Sequence, residues 1–170
     1  MPSRRVMLVA PVAEDGMAAR SGADPSIVTN ARVLEFYHYW LAQCRGRRFP
    51  RRADIEPTDI PHLLSGIVLL DVHADPLDFE YRLIGGDVVK RSGNLKGKRV
   101  RQAALLNTSS PAYRNYCEVV ETGLPHFLEG TAIGAYRVDR PTLVSRVHCP
   151  LSDDGGTINK IISYLAFLEK

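Results

Sequence analysis

A chain of 170 residues, 45% hydrophobic and 24% charged, is long enough to bury one compact core beneath an ordinary polar surface. Its 22 basic and 19 acidic groups leave a formal net charge of +3, too near balance for a general drive toward nucleic acid. The three cysteines, Cys44, Cys117 and Cys149, show no close pairing motif and point to a reducing cytoplasm, and no apolar run approaches the roughly 20 residues that span a bilayer.

Residues 1–25 carry Pro, Gly, Ala and charge without a sustained period and read as a flexible N-terminal arm. Ser3-Arg4-Arg5 ahead of Val6-Met7-Leu8-Val9-Ala10 is similar to a twin-arginine export signal. Pro11 interrupts that stretch and Glu14 and Asp15 end it, so it is read as part of the arm. One folded domain is expected over 26–170, opened by a flanking helix over 26–45. Ser26 is its expected N-cap, Val28, Ala31, Leu34, Tyr37, Trp40 and Leu41 follow helical spacing, and Gly46 marks its end. Val33, Phe36 and Tyr39 widen the apolar surface beyond one stripe. Val33, Phe36 and Trp40 are therefore expected at a homodimer interface.

The basic segment Arg45–Arg52 follows, broken at Pro50. A short helix is expected from Asp59 to Leu64, capped by Thr58 or Asp59 and stopped at Gly66. Ile67–Val72 is a β-branched aliphatic run and reads as a strand, and Asp75-Pro76 turns the chain. Phe79, Tyr81 and Leu83 alternate with Glu80, Arg82 and Ile84 in a second strand that ends at Gly85-Gly86. Asp87 then caps a short helix, Val88–Arg91. Ser109-Ser110-Pro111 opens a longer helix with Tyr113, Tyr116, Val119 and Val120 on an apolar stripe, closed by Gly123. Strands are expected over Pro125–Ile133, Tyr136–Cys149 and Thr157–Leu168, the last two joined at Asp153-Asp154-Gly155-Gly156. Helices grouped in the middle and antiparallel strands late in the chain give an α+β fold.

Several of these tracts resemble a family of stand-alone bacterial PAS domains. They are Leu34…Tyr39-Trp40, Phe49-Pro50-Arg51-Arg52-Ala53-Asp54-Ile55-Glu56-Pro57-Thr58-Asp59-Ile60, Leu63-Leu64…Ile67-Val68-Leu69-Leu70-Asp71-Val72, Phe79-Glu80-Tyr81-Arg82-Leu83-Ile84-Gly85, Asn94-Leu95-Lys96-Gly97, and Cys149-Pro150-Leu151-Ser152…Gly155. The resemblance covers most of Thr29–Leu168. It implies an antiparallel sheet of about five strands, helices on one face with an N-terminal flanking helix, and a sensory or regulatory role. Gly86 departs from it, standing where a side chain such as threonine is expected.

Chemical motifs are sparse. Gly93…Gly97-Lys98 has the wrong spacing for a phosphate loop, and Arg99 stands where Ser or Thr is needed. Arg47/Arg51 and Arg48/Arg52 are similar to the RxxxR arginines of cyclic-dinucleotide receptors, while the partner motif is absent from Asn107–Ala112, so a solvated basic loop is the plainer reading. His38, His62, His73, His126 and His148 form no metal-binding pair, and adjacent His148 and Cys149 point to opposite faces of one strand. No nucleophile elbow, paired catalytic carboxylates or flavin-reactive cysteine tract is present. Tyr81, Arg82, Tyr136, Arg137, Arg146 and His148 lie on expected strands. Of these, Tyr81, Arg82, Tyr136, Arg146 and His148 are the candidate ligand-binding residues. Arg146 and His148 share one strand face, which is either solvated or meets an anionic ligand or a buried carboxylate such as Glu129. The expectation is a cytoplasmic, cofactor-free and metal-free regulator, not an enzyme. It binds a small-molecule signal or a protein partner, with no nucleic acid or membrane partner. The alternatives are an isomerase-like α+β cavity enzyme and a cyclic-dinucleotide-binding regulator.

Overall fold

The computed structural model describes residues 20–103, 111–132 and 143–168. The elements run β1 (Arg20–Gly22), α1 (Ala31–Gln43), β2 (Ile67–Ala74), β3 (Leu77–Ile84), α2 (Gly86–Ser92), α3 (Val100–Ala103), α4 (Pro111–Thr122), β4 (His126–Ala132), β5 (Leu143–Leu151) and β6 (Lys160–Phe167). Short 3-10 turns fill the stretch between α1 and β2, the longest over Pro61–Gly66. The strands form one antiparallel sheet in the order β1-β4-β5-β6-β2-β3.

The sheet is covered on both faces, and this decides where every functional side chain can point. On the inner face, Val68, Leu70, Phe79, Ile161 and Leu165 pack with Val88 of α2, Val100 of α3, and Tyr116 and Val119 of α4. On the outer face, Ile67, Leu69, Phe127, Val147, Cys149, Leu151, Ile162 and Tyr164 pack with Val33, Phe36 and Trp40 of α1. Successive residues of a strand alternate between these two cores.

Two expectations about the N-terminal part are corrected. The arm does not extend to residue 25: Arg20, Ser21 and Gly22 pair with Glu129, Leu128 and Phe127, adding a sixth strand to the sheet. Asn30, not Ser26, caps the first helix, its side chain accepting hydrogen bonds from the main-chain N–H groups of Arg32 and Val33 at 3.0 and 3.2 Å. Ser26 belongs to a separate turn, Pro25–Ile27, capped by Asp24. Residues 1–19 and the Ser109-Ser110 helix opening lie outside the described residues.

Val33, Phe36 and Trp40 are buried within the chain's own outer-face core, at most 3% exposed, so these side chains are not free to form a dimer contact. Most of the apolar surface of α1 is absorbed within the chain, while Leu41 stays exposed. Phe36 stacks on Tyr164 at 5.8 Å between ring centroids, and Tyr37 meets Phe127 edge-on at 5.0 Å. Trp40 Nε1 donates to the buried carbonyl of Pro150 at 2.9 Å, and the main-chain N–H of Glu56 donates to the Tyr39 hydroxyl at 2.9 Å. The helix thus uses its polar aromatic tips to tie down the loops beside it.

The tract over Phe49–Ile60 has a comparable structural purpose. Asp54 accepts from the Arg51 main chain at 2.7 Å and from the Arg47 guanidinium at 2.6 Å, which together hold its carboxyl below the usual carboxylate range. Arg52 donates to the Ile55 carbonyl from its side chain and to Asp153 from its main chain. The basic segment is therefore tethered to its own loop and to the last hairpin, which removes Arg47 and Arg52 from any RxxxR clamp. Gly86, the departure from the family pattern, has open space where a side chain would begin. Gly85, its neighbour, would drive a side chain to 2.3 Å from the Ser65 carbonyl oxygen.

Candidate functional site

Beneath α4, the inner face of the sheet carries a buried polar cluster. In the sheet register, His126 of β4, His148 of β5 and Ser163 of β6 stand side by side, and Leu128, Arg146 and Leu165 form the next row on the same face. Tyr116 of α4 closes over them, its ring meeting His148 edge-on at 4.8 Å. Tyr81, on the same face of the edge strand β3, hydrogen-bonds to Tyr116.

The electrostatics are unusual for an arginine. Arg146 is 7% exposed, and its Nε has no hydrogen-bond partner among the described residues. Burial pushes its pKa down, and the groups that favour its charge are the phenols of Tyr116 and Tyr81, not a carboxylate. His148, 1% exposed, is hydrogen-bonded through Nδ1 to the Ser163 hydroxyl at 2.5 Å. Burial first, and then the charge of Arg146, hold it well below the ordinary histidine range. His126 is lowered for the same first reason. Both rings are neutral near neutral pH, which leaves Arg146 as the cluster's charged group.

The structure brings Tyr81, Arg146 and His148 together and does not bring Arg82 to them. Arg82 is exposed, with Nε 2.9 Å from the Asp71 carboxylate, whose other oxygen pairs with Lys160. Tyr136 and Arg137 lie outside the described residues. Glu129 is buried, but it is adjacent to Leu128 on β4 and so faces the opposite side, where it accepts from the Ser145 hydroxyl at 2.5 Å. It is not the counter-ion of Arg146. Cys149 enters the outer core beside α1, as its adjacency to His148 requires.

Three members of the cluster were not singled out from sequence. Tyr116 sits on an apolar stripe that reads as core, and Ser163 sits in an aliphatic strand. His126 could have been found only by setting β4 beside β5 in the register that pairs it with His148.

Open space lies elsewhere. A cleft of about 430 Å³ runs between the C-terminal end of α4 and the two hairpins, lined by Arg48, Phe49, Val72, Leu77, Glu121 and Thr157 among others. Arg48 lies over the Phe49 ring, 4.8 Å from its centroid. Among the described residues no group of His, Cys, Asp and Glu side chains is arranged to hold a metal ion, and no helix is long and apolar enough to cross a membrane.

Comparison with known proteins agrees with this architecture. The profile of a family described as PAS domain matches residues 28–162. No curated protein matches the chain. The solved structure of an RNA-binding light-oxygen-voltage receptor aligns with 70% of this chain and 36% of its own, at 16% identity and a TM-score of 0.44. This chain therefore spans about a third of that receptor chain, and a likeness so low carries no inference about what this chain binds.

Proposed function

We propose that this chain, which belongs to the PAS domain family of sensory and regulatory domains, works by binding and not by catalysis, receiving a small-molecule signal at the polar cluster beneath α4. The observation that supports this reading is the buried Arg146 with an unpartnered Nε, placed among neutral histidines and phenols. A buried cation without a carboxylate costs stability, and native structures keep such groups where they serve a function. An intracellular setting belongs to the same proposal and is consistent with three unpaired cysteines.

Native mass spectrometry of the chain purified from cells that express it tests the reading. The expected result is a bound small molecule in stoichiometric amount, released on denaturation and lost when Arg146 is replaced by Met. A chain that carries nothing and takes up nothing from a metabolite extract would overturn it in favour of a protein-interaction adaptor.

That second reading, a regulatory protein or a second copy of the chain as partner, has its own support on the opposite face. Leu64 and Leu83 are 38% and 45% exposed beside a small apolar groove that Ile55, Ile60 and Ile162 also line. Homodimerisation, if it uses apolar contacts, draws on these side chains and on the exposed Leu41 of α1, not on Val33, Phe36 and Trp40.

A further inference from the structure

We infer that the signal received at Arg146 is a small organic monoanion, a carboxylate with an apolar body. This rests on the binding site proposed above and adds the chemistry of its ligand.

Arg146 is flanked along its own strand by Val144 and His148 and across the sheet by Leu128 and Leu165. The groups that act on its charge, Tyr116 and Tyr81, are phenols, and His126 and His148 beside it are neutral imidazoles; the exposed Glu118 of α4 acts on His126 and is not among the groups that favour the charge of Arg146. Among the described residues no ion pair joins Arg146 to Asp or Glu, and the nearest buried carboxylate along the adjoining strand, that of Glu129, belongs to the other face. A guanidinium so placed has a buried donor, Nε, without an acceptor, and a carboxylate is the group whose geometry the guanidinium matches.

The surroundings narrow the class. One guanidinium balances one negative charge. An inorganic phosphate or a phosphorylated ligand would bring more charge than this single cation neutralises, into a face otherwise lined by Val68, Leu70, Phe79 and Val119. Those apolar side chains suit the hydrocarbon part of the ligand, while the Tyr116 hydroxyl, which already accepts from Tyr81, can donate to its second oxygen. Tyr116 covers the cluster through its contact with His148, so the ligand takes the place of that contact and shifts α4. This gives the sheet a means of reporting occupancy to a helix.

The test is a thermal-shift and calorimetric series on the full chain with butyrate, hexanoate, decanoate and benzoate, and with hexanamide, hexylamine and inorganic phosphate as controls. The expected result is that one or more of the carboxylates raises Tm and binds, that hexanamide and phosphate do not, and that Arg146→Met weakens carboxylate binding by about ten- to a hundredfold. The unliganded Arg146→Met protein is expected to melt at or above the parent temperature, because it removes a buried charge that nothing pairs. Should that variant fail to fold, Arg146 is a structural hub and the inference is overturned. If hexanamide or hexylamine binds as tightly as hexanoate, or a neutral ligand binds equally to parent and Arg146→Met, the anion inference fails while the sensory reading stands. If nothing in the series binds and the purified chain carries no ligand, both fail together.

Discussion

At the scale of single residues, the inner-face cluster has a definite acid response. His148 and His126 have folded pKa values lowered below the 6.5 of a free imidazole, chiefly by burial. Below that value the unfolded chain takes up protons that the folded chain refuses, so stability is complete above it and declines as pH falls toward the folded pKa values. The carboxylates respond later. Asp154, held down to about 2 by main-chain donors from Thr157 and Gly156, and Asp54 and Asp153, also lowered, lose their contribution only below the ordinary carboxylate value of 3.8. Thermal melts of the parent across the histidine range are expected to show Tm falling with acidification. His148→Asn, which keeps a polar partner for Ser163, should fall less steeply over that range. An identical slope in the two proteins would mean that His148 is not the group being titrated.

At the scale of elements, α1 shows why an apolar surface alone does not indicate a subunit interface. Val33, Phe36, Trp40 and Cys44 recur at helical spacing and meet the sheet, while Tyr37 and Tyr39 close the flanks against Phe127 and the turn at Glu56. Phe36→Ala is expected to cost about 3–5 kcal/mol in denaturant unfolding, as for a fully buried aromatic ring. Sedimentation of the folded variant should show the parent's oligomeric state. A change in that state without a loss of stability would return α1 to the interface.

The same elements show what a sequence reading can and cannot reach. The helices over 31–43 and 111–122 and the strands over 67–84 are legible because their apolar periods differ and Gly or Pro marks their ends. The cap of α1 was not legible, since Asp24, Ser26 and Asn30 are all competent caps and the turn at Pro25–Ile27 decides among them. In the site, the shared face of Arg146 and His148 follows from a two-residue period. Which face it is does not follow, because β5 is buried on both sides and loses the alternation of polar and apolar residues that would have marked the inside. Arg82 failed as a candidate for the complementary reason. It lies on the edge strand β3, and Asp71 and Glu80 draw it outward.

At the scale of the whole molecule, one strand serves both layers. β5 carries Arg146 and His148 into the inner core and Val147 and Cys149 into the outer core beneath α1, so the polar cluster and the flanking helix pack against the same backbone. Because α1 and α4 both pack against β5, the displacement of α4 proposed above would be passed through that strand. The proposed site requires Arg146 Nε, unpartnered among the described residues, to be free for a ligand. An electron-density map of the protein as purified from its host, at a resolution that shows ordered solvent, measures this directly. The expected result is non-protein density, an anion or the water that replaces it, within hydrogen-bond reach of Arg146 Nε under the ring of Tyr116. A carboxylate or main-chain carbonyl of the chain itself closing that nitrogen would contradict the account.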